Sequence, residues 1–317
     1  MPEPAFVAAV DFGGTKVAVA SATLDGEVID QLRLKTDATS GAEQVVERAI
    51  GAARSVIESA QRKTRGRCVA AGVVSPGIVL PDRIMLAPNV PGWEELALVP
   101  IMREALGLDC VAVSNDVKAA GLAELRWGAL VGADPALFLS LGTGVAAAVL
   151  VGGQILPGAH GAAGEIGYSL RCVDDAGAFA DGRAPLEVLA GGRFIGVRAS
   201  RLTGSEMTSA SAFAARDPST RELVDEALDE LAVHLANTAI LLDPQRIAVG
   251  GGMMASAERV LAALERRLRR AVPFQPELVP ARFVHDAALR GAIALAVDAA
   301  PAETRERADT AVAGVSR

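Results

Sequence analysis

Cysteine is scarce in this chain. Cys68, Cys110 and Cys172 are isolated, odd in number and free of C-x-x-C spacing, which argues against a disulfide framework or a clustered thiolate metal site. The histidines, His160, His234 and His285, likewise have no paired ligand at metal spacing. Basic residues are fewer than acidic ones, 31 against 38 for a net charge of −7, and no basic run exists to track a nucleic-acid backbone. No apolar run approaches the ~18 residues of a membrane span, and the opening M-P-E-P-A has no positive leader region. A cytoplasmic enzyme or binding protein is therefore expected. G-x-x-x-x-G-K-[ST] is absent too, which excludes a P-loop enzyme. What is present is apolar: hydrophobic residues make up 51% of 317, ample for the core of one large domain or two of ordinary size.

The chain is organised around residues 7–20, V-A-A-V-D-F-G-G-T-K-V-A-V-A. Two runs of small and β-branched residues, each about the length of a buried strand, flank the polar turn Asp11-Phe12-Gly13-Gly14-Thr15-Lys16. The glycine pair lets the chain reverse. Such a turn offers N–H groups, a hydroxyl and an ammonium to an anion, while Asp11 can hold a cation, directly or through water. Phosphate with Mg²⁺ fits that donor set; a plain hairpin turn with a surface lysine is the competing reading.

Further along, residues 28–34 read as a third strand. Residues 40–63 read as an amphipathic helix, with Ser40 and Glu43 forming a capping box. Residues 68–74 form a buried strand ending at Ser75-Pro76-Gly77, and residues 86–93, with two prolines, an ordered loop. A short helix at 101–106 precedes a strand at 110–113, which empties into Ser114-Asn115-Asp116 and a helix at 117–127. The second half opens like the first: strand 136–141, turn Gly142-Thr143-Gly144, strand 145–151, turn Gly152-Gly153, strand 154–156. This repeat, with a period of about half the chain, indicates two related α/β lobes. Helices at 185–200 and 220–242, a strand at 246–249 ending in Gly250-Gly251-Gly252, a helix at 256–271, a strand at 279–284 and a helix at 287–299 complete the reading. Residues 301–317 lack an apolar face and read as a frayed tail.

Four strand ends thus collect glycine and polar residues: 11–16, 115–116, 142–144 and 250–252. Ligands of open α/β sheets bind beyond strand ends, so one cleft between lobes is expected. Gly142-Thr143-Gly144-Val145-Ala146-Ala147 fits the dinucleotide pattern G-x-G-x-x-A, but the valine-rich continuation, interrupted at Gly152-Gly153, reads as a strand rather than the required helix.

The motifs D-F-G-G-T-K, P-G, A-P-N-V-P-G-W, S-N-D-V-K-A-A, L-G-T-G, G-A-A-G-E-I-G and V-G-G-G stand in the order of the ROK sugar kinases and repressors, which the chain resembles over nearly its whole length. The resemblance implies a two-lobed actin-like ATPase (ribonuclease H-like) α/β fold with the active site in the interlobe cleft. The smaller lobe would comprise residues 1–117 plus 288–300 and the larger one 118–287. It further implies ATP with Mg²⁺: Asp11 at the metal, Gly13, Gly14, Thr15, Lys16, Gly142, Thr143 and Gly144 at the phosphates, and Gly250, Gly251 and Gly252 near the adenosine. A hexose would lie against Gly77, Asn89, Asn115, Glu165, Tyr168 and Glu187, with Asp116 as the base that takes the proton of the acceptor hydroxyl. Taken without the resemblance, Asn115-Asp116 reads first as an N-cap, and Glu165 and Glu187 can be read as solvated carboxylates.

One departure stands out. Family members commonly follow G-E-I-G with His and then C-x-C-x₄-C-x-E, a zinc knob whose His touches the sugar. Here those positions are Tyr168, Ala178, Ala180 and Pro185, with Glu187 still in register. No zinc is expected, and the acceptor pocket is altered. A second departure, Ala146 where the family usually has glycine, is minor. The expected activity is phosphorylation of the primary hydroxyl of glucose or, because of Tyr168, of an amino-hexose such as 3-amino-3-deoxyglucose or glucosamine, or of a C7 cyclitol. A sugar-sensing regulator of the same family is less favoured, since only ten residues precede Asp11 and the charge is acidic. Sugar and ATP are the expected partners, with neither nucleic acid nor membrane, and a homodimer is compatible with the resemblance.

Overall fold

The computed structural model describes residues 4–87 and 90–305. They divide into two units: the chain up to Ala123 together with the segment from Asp286 onward, and Glu124–His285. The division falls inside a helix and just before another.

The first unit is built on five strands, β1 (Ala5–Phe12), β2 (Lys16–Thr23), β3 (Val28–Lys35), β4 (Arg67–Ser75) and, two short strands later, β7 (Val111–Asn115). The short pair, β5 (Ile78–Val79) and β6 (Ile84–Met85), forms a separate ribbon. The sheet order is β3-β2-β1-β4-β7, antiparallel on the β2 side and parallel from β1 to β7. β1 and β4 are apolar on both faces because helices cover both, whereas β3, at the edge, carries charge. On one face α1 (Ala42–Thr64) inserts Val45, Val46, Ala49, Ala53 and Val56 against Ala8, Val10, Val17, Val19 and Val73. α2 (Leu98–Leu106) adds Leu98 and Met102 to that cluster. A further helix, α9 (Ala287–Ala299), lies against β4. It meets the sheet at Gly72, where a Cβ would run into the Ala292 carbonyl.

The second unit repeats the plan. Strands β8 (Ala136–Leu141), β9 (Val145–Val151), β10 (Gln154–Ile155), β11 (Arg246–Gly250) and β12 (Glu277–Pro280) pair in the order β10-β9-β8-β11-β12. The parallel and antiparallel pairs fall in the same places as in the first sheet. Its core is completed by α7 (Pro218–Leu242), whose Val224, Ala227, Leu228, Leu231 and Leu235 recur at helical spacing, and by α8 (Ala257–Ala271). Asp217 caps α7 by accepting the Thr220 N–H (2.8 Å), with Pro218 in the first turn. The strand after Gly144 also removes the dinucleotide reading of that segment.

Several local expectations fail. Ser40 is not a helix cap: it closes a 3₁₀ turn, donating to Asp37 O (2.8 Å). Gly41, at φ 87°, takes the cap position, and the Ala42 N–H finds Pro91 O (3.0 Å) instead. α2 begins at Leu98 because Pro100 is tolerated in a first turn. The strand expected at 110–113 runs on to Asn115, so Asp116 opens the next helix, α3 (Asp116–Trp127). The helix expected at 185–200 is two, α4 (Pro185–Ala190) and α5 (Gly192–Thr203), with Gly191 extended between them. A further helix, α6 (Ser209–Ala214), was not anticipated. The strand expected at 279–284 instead spans Glu277–Pro280. Beyond it, the Arg282 and Phe283 N–H groups are drawn off the sheet to the Glu124 carboxylate (3.1 and 2.7 Å). Of the expected tail, residues 302–305 are helical, and 306–317 lie outside the described residues.

Candidate active site

Parallel pairing sets the first cluster. Asp11 lies opposite Val74, and Ser75 opposite Asn115, so the ends of β1, β4 and β7 present Asp11, the Ser75-Pro76-Gly77 turn and Asn115-Asp116 along one sheet edge. The turn after β1 is closed by the Gly13 N–H donating to Lys16 O (3.0 Å). Thr36 braces it, its hydroxyl donating to Gly13 O (2.6 Å) and its N–H to Thr15 O (3.0 Å). Gly13 is therefore a pivot whose own donor is already used, while Gly14, Thr15 and Lys16 are exposed at the tip. Burial pushes the half-buried Asp11 carboxyl up to about 7. The negative charge of Asp116 adds to this, Lys16 pulls the other way, and Asp286 contributes a smaller rise.

Asn115 is buried and its Oδ1 accepts the Lys118 N–H (2.8 Å), so it caps α3, the structural role the sequence left open. That cap fixes the next residue. Asp116 Oδ1 accepts the Val117 N–H (2.9 Å), and the residue is exposed to solvent although protein surrounds it closely. Burial raises its pKa, with the Val117 N–H and then the charge of buried Lys118 opposing. Lys118 was not singled out from the sequence, although it stands inside S-N-D-V-K. Trp93 gains a role as well. Its Nε1 donates to Ser75 Oγ (2.9 Å), Ser75 Oγ donates to Pro76 O (2.9 Å), and the indole meets Phe12 edge-on at 5.1 Å. This pins the turn leading to Gly77, whose φ of 84° brings it against Met85 O, where a side chain could not fit. Asn89 lies outside the described residues.

The second unit gathers two further groups. Glu187, on α4, accepts the Val145 N–H (3.1 Å) through Oε2 and sits where a Cβ on Gly144 would collide with it. Glu165 and Tyr168 join it: burial, then the charges of Glu187 and Glu165, raise the Tyr168 phenol. Three of the expected acceptor residues thus meet, held by Gly164, whose carbonyl accepts the Ala147 and Ile166 N–H groups (both 2.7 Å). The segment at the knob positions is packed and ion-paired. The Phe179 ring meets Tyr168 edge-on at 5.7 Å and Ala178 is fully buried. Arg183 pairs with Asp181 (3.4 Å) and Asp175 (3.8 Å), and Arg171 with Glu230 (3.1 Å). Among the described residues no three His, Cys, Asp or Glu side chains gather closely enough to hold a metal by themselves.

The last group is a cavity of about 760 Å³ within the second unit. Gly142 and Thr143 line it, with Gly252 and Met253 from the end of β11 and Gly192, Gly196, Ser200, Met207 and Ser209 from the α5–α6 segment. Gly144, Gly250 and Gly251 do not line it. Gly251, at φ 94°, lets β11 end against the backbone of Leu141. The α5–α6 wall was missed from the sequence. Its signal was the spacing of Gly192 and Gly196, which places two small residues on one helix face, and the Thr208–Ser211 capping box that starts α6.

Comparison with known proteins bears on the family and the fold. The ROK family model matches residues 7–299. The chain is 31% identical over 305 residues to the N-acetylmannosamine kinase of Shigella flexneri, covering 92% of this chain and 98% of that one. Its structure resembles the ROK hexokinase of Thermus thermophilus, at 31% identity and a TM-score of 0.78, over 92% and 97% of the two chains. It also resembles the ROK family glucokinase of Streptomyces griseus, solved with glucose and AMPPNP, at 26% identity and a TM-score of 0.72, over 92% and 99%. With the family model spanning nearly all of the described chain, and with two sheets of one repeated topology, this protein belongs to the ROK family and has its actin-like ATPase fold.

Proposed function

We propose that this ATP-dependent sugar kinase of the ROK family transfers the γ-phosphoryl group of ATP to the primary hydroxyl of a hexose, with glucose as the leading acceptor. The observation that carries the reading is the placement of Asp116: a carboxylate at the end of β7, fixed by the start of its own helix, on the same sheet edge as Asp11 and the Gly77 turn. Asp116 accepts the proton of the acceptor hydroxyl as that oxygen bonds to phosphorus, and ADP leaves with the bridging oxygen. The Val117 N–H and the charge of Lys118 oppose the rise that burial causes in its pKa and favour the ionised form that can accept a proton.

Mg²⁺ fits the donor set. Asp11 is one carboxyl made reluctant to ionise by burial and by neighbouring acids, and a divalent cation would relieve that repulsion. A single carboxylate plus the nucleotide phosphates is a usual way to hold this ion. Bound there, it supplies neutralisation of phosphate charge. Gly14, Thr15, Lys16, Gly142 and Thr143 are assigned to the phosphates. Gly13 and Gly144 shape their turns, and Gly250 and Gly251 bring Gly252 to the cavity that takes the adenosine. Glu165, Tyr168 and Glu187 are assigned to sugar hydroxyls together with Asn89 and the Gly77 turn, while Asn115 acts by positioning Asp116.

Tyr168 supports a second reading of the acceptor. A phenol braced by Phe179 presents one O–H where the family has a zinc-held His, which suits an amino-hexose or a C7 cyclitol. The similar N-acetylmannosamine kinase shows that the family reaches amino sugars. The test is ADP release over glucose, mannose, glucosamine, N-acetylmannosamine, 3-amino-3-deoxyglucose and a C7 cyclitol, for wild type, Asp116→Asn and Tyr168→His. Asp116→Asn is expected to lose about 10²–10⁴ in kcat with sugar binding intact. Near-normal turnover would remove Asp116 from the mechanism. Tyr168→His is expected to reorder the acceptors by kcat/KM; an unchanged order headed by glucose would make Tyr168 no specificity residue.

A further inference from the structure

Two arginines line the cavity of the second unit without an ion pair or hydrogen bond among the described residues, Arg193 and Arg201, and only Arg193 stands beside the Gly142-Thr143 turn. Arg193 is the second residue of α5, beside the Gly142-Thr143 turn. Its guanidinium is exposed and makes no ion pair or hydrogen bond among the described residues, resting only near the ring of Phe194 (5.8 Å). The other arginine in the middle of this helix, Arg198, is fully engaged by Leu189 O (2.9 Å) and Glu226. The start of α5 offers an anion less than most helix starts do. The Gly192 N–H is taken by Gly142 O (3.0 Å) and the Arg193 N–H by Thr143 O (3.1 Å), so the two leading donors face inward. Positive charge at this end of the cavity must come from a side chain, and Arg193 supplies it.

We propose that Arg193 is the residue that holds the phosphate chain of the nucleotide in this cavity and discriminates nucleoside di- and triphosphates from the nucleoside. The proposal rests on the cavity being the nucleotide site. A guanidinium is well suited to that role, because it is charged at every working pH and its fork can take two phosphate oxygens at once. Arg201 lines the same cavity and is exposed as well, but it stands eight residues along α5, about 12 Å from Arg193. That separation makes it an internal control with the same charge.

The experiment is calorimetric titration with ATP, ADP, AMP and adenosine of wild type, Arg193→Ala, Arg193→Lys, Arg201→Ala and Val197→Trp, the last placing a large ring in the cavity from an exposed position of α5. Arg193→Ala is expected to leave adenosine binding unchanged and to weaken ADP and ATP about 10- to 100-fold, the scale of charge-assisted hydrogen bonds. It should also flatten the salt dependence of ATP binding. Arg193→Lys should recover part of the loss, and Arg201→Ala should show no dependence on phosphate number. The sugar KM of Arg193→Ala should stay at the wild-type value. Equal weakening of adenosine and ATP, or no weakening of either, overturns the assignment of Arg193. The cavity is judged separately: if Val197→Trp binds adenosine as wild type does, the nucleotide lies elsewhere. If that variant loses adenosine while Arg193→Ala behaves as wild type, only the role of Arg193 is wrong.

Discussion

Asp11 makes the stability of this protein depend on pH in a direction opposite to that of an ordinary salt-bridged carboxylate. Its pKa rises from 3.8 to about 7 in the folded chain, because burial and the charges of Asp116 and Asp286 outweigh Lys16. Between those values the folded state holds a proton that the unfolded state has released, so the folded protein loses stability as pH rises from about 4 to about 7 and does not regain it above. A shift of about 3 units corresponds to about 4 kcal/mol at ~1.4 kcal/mol per unit. Asp11 is only half-buried, and solvent screening reduces the expectation to about 2 kcal/mol. Asp11→Asn removes this contribution and keeps the shape. The variant should therefore gain about 2 kcal/mol on wild type between pH 4.5 and pH 8, measured without divalent metal. Urea unfolding followed by Trp93 emission in a Trp127→Phe background reports on the right region, since Trp93 is buried and its ring meets Phe12, next to Asp11. Asp30 and Asp217, whose pKa values are lowered, are present in both proteins and cancel in the difference. A stability difference that is the same at both pH values would refute the reasoning, and so would one that moves the other way.

Two further outcomes are expected. Glu124 is fully buried and its carboxylate accepts the N–H groups of Ala129 (2.7 Å), Arg282 (3.1 Å) and Phe283 (2.7 Å). Glu124→Ala removes the acceptor of all three and should destabilise by about 3–5 kcal/mol in urea unfolding, with Glu124→Gln closer to wild type; an Ala variant within 1 kcal/mol of wild type, at about the error of the method, would contradict this. The purified protein should carry no stoichiometric zinc, and a chelator should leave Tm unchanged, because Phe179, Ala178 and the Arg183 and Arg171 ion pairs hold the segment where ligands would stand. Zinc that survives dialysis in elemental analysis would overturn that account.

How much of this was legible in the sequence depends on the range of the interactions involved. The apolar runs at β1, β2, β4, β8 and β9 and the turns between them could be read directly, because a strand buried on both faces must be continuously apolar and a reversal needs its glycine. The repeat of strand, turn, strand and turn in each half was enough to indicate two lobes of one plan, and both sheets have the same strand order. Asp11 could be singled out from its own turn, whereas Asp116 was singled out by the family resemblance, since Asn115-Asp116 by itself reads first as a helix cap. The remainder was decided by contacts between distant residues. Ser40 lost its cap to Pro91 O, the strand after Pro280 was cut short by Glu124, and α4 and α5 part at Gly191 so that α5 can bond to the Gly142-Thr143 turn. Asn115 became a cap, Trp93 a pin for Ser75, Lys118 a charge beside Asp116 and Arg193 a cavity-lining cation, although nothing in their neighbouring residues sets them apart. The sequence alone determined which segments must be buried and where they can turn, since burial and φ are properties of each residue and its close neighbours. Only tertiary structure decided which polar groups face one another, and with that the pKa of Asp11, because those partners lie tens to hundreds of residues apart along the chain.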